Sequence, residues 1–268
     1  MSHHQVASVP PAVLERVPTR PVRAVLALVG LSIGVTVAGS LVVELVAPAS
    51  DPLLRRLPVV LVLLAMSLVV ARRVGWSSLA AGGPSTWRSL GWLAAPVLVA
   101  LVPLAWGWSP DRSTLAVLVV GYAATGLYEE LWFRGVVLRA ALPLGPGRAA
   151  ALTAAVFGAS HLPNILFGQN AAVTVAQAVG AATFGFGYAV LRLRTDALWA
   201  LAATHAVLDL LLHTTGLHGG ALWGVMVGQD VVLGVVGLVA LRGGRRRTGS
   251  QVATQHEELR ANVHAIVR

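Results

Sequence analysis

The sequence predicts an all-α protein, a polytopic transmembrane bundle of about eight helices. Of its 268 residues, 56% are apolar and only 12% are charged. An ordinary globular domain carries about 25% charged residues, so this chain has too few to cover a water-soluble body of its size. A soluble enzyme is therefore excluded, and one membrane domain accounts for the length better than two soluble ones.

Eight apolar stretches supply the predicted spans, because about 20 apolar residues cross a membrane. The first is too long for the core of a signal peptide and is interpreted as a retained anchor, while the second is the shortest. Glycine, proline, serine or arginine separates the stretches, and no internal repeat is visible. The eight run over residues 22–47, 57–70, 90–106, 114–138, 149–167, 172–191, 197–212 and 221–241.

The arginines predict the orientation. All 20 basic residues are Arg, and the formal net charge is +9. They lie in short loops and at both ends of the chain rather than on one face, so we expect no nucleic-acid partner. The positive-inside rule places both termini in the cytoplasm and leaves only Arg55, Arg56 and Arg112 on the other side.

The predicted organisation is a multi-pass protein of the cell membrane. It has a cytoplasmic tail over residues 1–21, a membrane domain over 22–241 and a basic cytoplasmic tail over 242–268. The lipid bilayer is its expected surrounding. The chain has no cysteine, which removes thiolate metal sites and a cysteine nucleophile.

Ionisable residues inside spans are costly and call for a partner or a function. On the fourth span, Glu130 and Arg134 are one helical turn apart and can neutralise each other. In an α-helix, Glu129 is rotated by about 100° from Glu130 and lacks that partner. An unpaired carboxylate in such a place is a candidate general acid or base.

Two further spans carry paired residues one turn apart. On the fifth, Phe157 is followed by His161 and then by Pro163, which weakens the local backbone ladder. On the seventh, His205 is followed by Asp209, which we expect to hold the imidazole in one tautomer.

Depth in the membrane gives an independent reason to group these residues. Counted from the arginine that borders each span, Glu129, His161 and His205 all lie roughly 15 to 20 Å deep at 1.5 Å per residue. Three helices of alternating direction therefore bring a carboxylate and two imidazoles into one layer. The sequence predicts that they share one polar pocket.

These residues reproduce a three-motif pattern, EExxxR at Glu129 to Arg134, FxxxH at Phe157 to His161 and HxxxD at His205 to Asp209. In order and spacing the pattern resembles that of the CPBP or Abi family of intramembrane proteases, which includes CAAX prenyl proteases and bacteriocin-processing members. The resemblance covers residues 114–212.

The resemblance implies a glutamate-dependent endopeptidase that cleaves a membrane-associated peptide or protein, with a site that opens toward the cytoplasm. By motif, Glu129 corresponds to the base that activates water, and His161 helps to hold that water. His205 and Asp209 correspond to the pair that orients or stabilises the oxyanion. The family more often has Asn at the last position, and we expect Asp209 to orient His205 because an ionised carboxylate cannot donate a hydrogen bond. Glu130, Arg134 and Phe157 are supporting residues.

The family is commonly labelled metalloprotease, and Glu129, His161 and His205 are candidate ligands of a divalent metal such as zinc. The chain lacks an HExxH helix, and a metal-free water activated by Glu129 fits the residues equally well.

Two other functions use the same residues. A proton-coupled transporter would employ them as a relay, but it predicts inverted repeats that the sequence does not show. A non-catalytic bacteriocin-immunity membrane protein would keep the polar cluster for helix association alone.

Overall fold

The computed structural model describes residues 20–75, 79 and 87–266, and this part of the chain is all-α, as predicted. Short 3₁₀ segments and one π-helix, Glu130–Val137, connect several of the α-helices. The α-helices are α1 Pro21–Val46, α2 Pro52–Val74, α3 Trp87–Leu90, α4 Ala94–Leu101, α5 Leu115–Glu129, α6 Leu138–Ala141, α7 Pro146–Ala159, α8 Ala171–Thr195, α9 Leu198–Thr214 and α10 Gly219–Ile266.

Helical segments occupy all eight predicted stretches. Within the described residues, five are long and apolar enough to cross a membrane: α1, α2, Pro146–Phe167, α8 and Gly219–Gly243 of α10. Two others, Gly91–Trp106 and α9, are shorter apolar helices. The outward faces carry large exposed apolar side chains, such as Leu45 and Leu98, which suits helices surrounded by lipid.

The second span is longer than the sequence predicted. Helix α2 has 23 residues and begins at Pro52, so Arg55 and Arg56 lie in its first turns. Their charges conceal the start of the helix in the hydropathy pattern. Arg55 forms an ion pair with Glu44 near the end of α1, and this contact places the end of α1 beside the start of α2.

The third span is broken into four short pieces. The segment Gly91–Leu93 is a 3₁₀ turn before α4, and Val102–Trp106 is another after it. Pro103 lies in the first turn of the second 3₁₀ segment. Proline has no backbone N–H, so it cannot donate the hydrogen bond that would continue an α-helix. The span is therefore compact and short.

The structure describes the two predicted tails to different extents. Residues 1–19 of the N-terminal tail lie outside the described residues. The predicted C-terminal tail over 242–268 is helical backbone as far as Ile266, because α10 continues without a break past the end of the predicted span.

The bundle has two ends that differ in charge. We call one end of the bundle the arginine-rich end. Here the end of α2 and the end of α8 lie close together, and Arg192 donates a hydrogen bond to the backbone oxygen of Leu79. Among the described side chains it carries Arg20, Arg23, Arg72, Arg73, Arg139, Arg148, Arg192, Arg194 and Arg242, with Asp196 as the acidic residue.

What we call the arginine-poor end carries Arg55, Arg56 and Arg112, balanced by Glu44, Asp51 and Asp111. Backbone pairing between Trp108 and Thr215 ties the loop before α5 to the end of α9 here. The hydroxyl and amide of Ser113 both donate to the carboxylate of Asp111. These hydrogen bonds hold the pKa of Asp111 below its ordinary value.

Close packing of α5 on α9 determines where the site lies. Gly126 of α5 faces the backbone of α9, and a Cβ atom there would lie only 2.8 Å from the carbonyl oxygen of Ala202. Small residues at such contacts let two membrane helices approach closely. The same close contact between α5 and α9 leaves Glu129 Oε2 3.7 Å from His205 Nε2.

Candidate active site

The EExxxR motif spans the junction of two kinds of helix. Glu129 is the last residue of α5, and Glu130 is the first residue of the π-helix Glu130–Val137. A π-helix uses hydrogen bonds from residue i to i+5 and often occurs at functional sites. The sequence predicted a regular α-helix here, with the two glutamates pointing about 100° apart. Both carboxylates lie near the same imidazole, one at each of its ring nitrogens.

That imidazole belongs to His205, which is 6% exposed. Its Nδ1 lies 2.9 Å from Glu130 Oε1. The same carboxylate oxygen lies 3.0 Å from Arg134 Nη1, and the side chains of Glu130 and Arg134 are completely buried. Because a paired carboxylate accepts, His205 Nδ1 donates to Glu130, which leaves Nε2 on the side of Glu129 and Asp209.

This contact corrects the expected role of Asp209. The sequence predicted that Asp209 holds the ring of His205 in one tautomer, whereas Glu130 makes the hydrogen bond to Nδ1. Asp209 Oδ2 is instead 3.7 Å from Nε2 of His205. The expectation failed because the ring of His205 turns its Nδ1 away from its own helix toward the π-helix.

Glu129 lies on the other side of Nε2. Its Oε2 atom is 3.7 Å from His205 Nε2, the same separation as that of Asp209. Both distances are too long for a direct hydrogen bond. A water or a substrate oxygen between these groups is the ordinary way to connect polar atoms at such separations.

His161 approaches from the end of α7. Its Nδ1 lies 3.0 Å from the carbonyl oxygen of Phe157, and a carbonyl only accepts, so Nδ1 is the donor. In the neutral ring Nε2 is then an acceptor. His161 interacts electrostatically with Glu129 and Asp209. That Glu129, His161 and His205 share one pocket stays a prediction.

Aromatic rings enclose the buried ion pair. The guanidinium of Arg134 lies over the ring of Phe157, 4.2 Å from its centroid, a cation–π contact. Phe157 also packs edge-on against His161 at 5.1 Å. Phe157 therefore connects two of the motifs physically. The guanidinium nitrogens of Arg134 make no hydrogen bond within the described residues, so charge pairing and the ring hold it.

The sequence analysis missed two residues of α8. Phe184 lies 4.9 Å from the ring of His205, and Tyr188 lies 5.9 Å from it. Tyr188 also shares a hydrogen bond with Thr204. The visible signal was a pair of aromatic residues one turn apart, with Gly185 between them. A Cβ atom on Gly185 would lie 2.8 Å from the Phe157 ring, so this glycine admits Phe157 beside Arg134.

A metal ion does not fit the arrangement as it stands. Among the described residues, no three His, Asp or Glu side chains lie close enough together to hold one. The candidate ligands Glu129 and His205 face each other, but His161 does not complete a three-ligand set with them.

A comparison with family models gives an independent finding about the segment that carries this cluster. Residues 110–211 match the model described as type II CAAX prenyl endopeptidase Rce1-like. The predicted resemblance is confirmed over this segment. The Rce1-like segment runs from the loop before α5 to α9 and contains all three motifs. At the family level, it indicates a membrane endopeptidase. The chain has no match among curated proteins or solved structures.

Proposed function

We propose that the protein is a glutamate-dependent intramembrane endopeptidase that hydrolyses a peptide bond of a membrane-associated protein or peptide. The observation that carries the proposal is the gap between Glu129 Oε2 and His205 Nε2. The carboxylate oxygen and the imidazole nitrogen lie 3.7 Å apart without a direct hydrogen bond, so one water or one carbonyl oxygen placed beside them can contact both. The Rce1-like segment supports the same reaction class.

In the proposed reaction Glu129 takes a proton from water as the new oxygen–carbon bond forms at the scissile carbonyl. His161 assists by accepting a hydrogen bond from that water at Nε2, since its Nδ1 is already bonded to Phe157. When the tetrahedral intermediate collapses, the carbon–nitrogen bond breaks. The proton held by Glu129 then passes to the leaving amine.

His205 has the proposed role of oxyanion donor. Its Nδ1–H is committed to Glu130, so a protonated ring donates from Nε2 toward the developing charge. Donors aimed at the position of an oxyanion are among the largest contributions to catalysis. Asp209, also 3.7 Å from Nε2, balances the charge of that ring.

Glu130 and Arg134 are positioning residues in this proposal. They fix the ring of His205 from the buried side and do not touch the substrate. No step in the proposal passes through a metal ion, because the described side chains do not form a metal site.

The experiment is cleavage of membrane-anchored peptides by the protein reconstituted in proteoliposomes, with products identified by mass spectrometry. Glu129→Gln keeps the shape of the side chain but removes its basicity, so we expect a loss of about 10²- to 10⁴-fold in rate. Glu44→Gln is the matched control, because Glu44 is a mostly exposed glutamate paired with Arg55 outside the site. Full activity in Glu129→Gln would refute the role of Glu129 as the base.

A further inference from the structure

Helix α8 presents two aromatic rings to the candidate site. Phe184 and Tyr188 are one helical turn apart and so lie on one face of α8. Their rings stack with a centroid distance of 4.2 Å. Both residues are buried, because Phe184 is 5% exposed and Tyr188 is 1% exposed. The three sequence motifs lie outside α8, so this face is a separate contribution to the site.

The two rings restrict how the imidazole of His205 can turn. Its ring centroid lies 4.9 Å from that of Phe184 and 5.9 Å from that of Tyr188. The hydrogen bond from Nδ1 to Glu130 fixes one atom of the imidazole but not the plane of the ring. Aromatic packing limits the remaining freedom, because side chains in close-packed interiors occupy few rotamers.

The hydroxyl group of Tyr188 fixes the residue that precedes His205. It lies 3.0 Å from Oγ1 of Thr204. The Thr204 hydroxyl donates its own hydrogen to the backbone oxygen of Leu201, and a hydroxyl group has only one hydrogen to donate. Tyr188 is therefore the donor in its bond to Thr204. This bond ties α8 to α9 directly beside His205.

The ring of Tyr188 also supports the buried ion pair. The central carbon of the Arg134 guanidinium lies 5.7 Å from the centroid of Tyr188 and 6.0 Å from that of Phe184, within the range of cation–π contacts. Arg134 pairs with Glu130, and Glu130 in turn accepts the hydrogen bond from His205. Tyr188 therefore supports His205 both directly and through the ion pair.

We propose that Tyr188 is a positioning residue for peptide hydrolysis, whose hydroxyl and ring together hold His205 where Nε2 can donate to the oxyanion. The inference rests on the proposed function and adds a residue from outside the three motifs. Tyr188 is buried and does not touch the substrate. Its effect therefore belongs to the chemical step and not to substrate binding, so it changes kcat and leaves KM unchanged.

The first experiment removes the hydrogen bond from either side. Tyr188→Phe removes the phenolic hydroxyl and keeps the ring, and Thr204→Val removes the accepting oxygen and keeps a β-branched side chain. Thr183→Val is the matched control, because the hydroxyl of Thr183 donates to Val179 within α8 itself. Cleavage of the membrane-anchored peptides in proteoliposomes gives kcat and KM for each variant at equal amounts of folded protein.

We expect Tyr188→Phe to lower kcat by about 5- to 10-fold, the factor that corresponds to one ordinary hydrogen bond, with KM unchanged. The double variant with Thr204→Val should be no slower than the slower single variant, because both substitutions remove the same bond. Thr183→Val should keep its full rate. A fully active Tyr188→Phe, an effect on KM alone, or single losses that multiply in the double variant would each overturn the proposal.

A second pair of variants tests the ring. Tyr188→Leu removes the aromatic contacts with His205 and Arg134, whereas Phe186→Leu removes a ring of the same helix that lies near Gly237 of α10. We expect a loss of about 10²-fold in kcat for Tyr188→Leu, the effect of a misplacement of about 1 Å, and little change for Phe186→Leu. Equal losses in both variants would assign the effect to the packing of α8 in general and would overturn the proposal.

A measurement that needs no cleavage separates this inference from the proposed function. In protein labelled with ¹⁵N-histidine, NMR detects the ring N–H that His205 donates to Glu130 while the hydrogen bond protects it from exchange with water. The signal is assigned by its absence in His205→Gln. We expect the signal to persist in Phe186→Leu and to be lost in Tyr188→Leu.

The two measurements can fail separately. A signal that persists unchanged in Tyr188→Leu would overturn the positioning role of Tyr188. The expected loss of the signal, in a protein that cleaves no peptide even without a substitution, would refute the proposed function and leave the hold of Tyr188 on His205 established.

Discussion

At the scale of single residues, the two adjacent glutamates have different environments and so different tasks. The side chain of Glu129 is 17% exposed, whereas Glu130 is completely buried between Arg134 and His205. The proposal therefore gives the exchange of a proton with water to Glu129. The second is committed to two partners and holds the ring of His205 in place.

The burial of Glu130 predicts a large effect on stability. Glu130→Gln keeps the volume but leaves the Arg134 guanidinium buried without a counter-charge, and breaking a buried pair costs about 3–5 kcal/mol. We expect a clearly lower thermal unfolding midpoint in detergent, together with lost cleavage. Glu129→Gln is the control, since Glu129 makes no direct hydrogen bond in the site and its unfolding midpoint should change little. Equal midpoints for the two variants would contradict the assignment.

At the scale of elements, the position of α9 explains how both glutamates lie near one imidazole. Glu129 and Glu130 both have α-helical backbone dihedrals, so their side chains still diverge. Glu130 contacts Nδ1 and Glu129 lies nearer Nε2, so the ring of His205 stands between them. The local geometry of the motif is thus set by packing between helices.

The contact between α5 and α9 gives a prediction with an internal control. A Cβ atom on Gly126 would lie 2.8 Å from the backbone of α9, whereas one on Gly121 would meet nothing within 4 Å. Gly126→Ala must push the helices apart and widen the gap between Glu129 and His205. A misplacement of about 1 Å costs about 10²-fold in rate.

Cleavage rates of the two variants, compared at equal amounts of folded protein, measure this effect. We expect Gly121→Ala to retain full activity. If Gly126→Ala were as active as Gly121→Ala, the spacing of these helices would not control the reaction.

The elements also show what the sequence was able to predict. Hydropathy located all eight helical segments, and depth counted from bordering arginines placed Glu129 and His205, which lie 3.7 Å apart, in one layer. That His161 shares their pocket stays a prediction. Hydropathy failed at the start of α2, where Arg55 and Arg56 interrupt the apolar run. Sequence spacing relates residues within one helix, so it missed the bond from Glu130 to His205, which joins two helices. The aromatic spacing of Phe184 and Tyr188 is visible in the sequence, but their contact with His205 depends on how α8 packs.

At the scale of the whole molecule, three helices that are distant in sequence build the site. Helix α5 brings Glu129, α7 brings His161, and α9 brings His205 together with Asp209. Apolar side chains on the outer faces of the bundle surround this cluster. The described residues include no separate recognition domain, so the proposal leaves substrate selection to the bundle itself.

The central claim is that Glu129 and His161 act on one water although they come from different helices. A double-mutant cycle tests it most directly, through single-turnover cleavage rates of Glu129→Gln, His161→Ala and the double variant at equal folded amounts. Groups that act as a unit are strongly non-additive, so we expect the double variant to be no slower than Glu129→Gln alone. If the rate loss of the double variant equalled the product of the two single-variant losses, the two residues would act independently. That result would contradict the shared water.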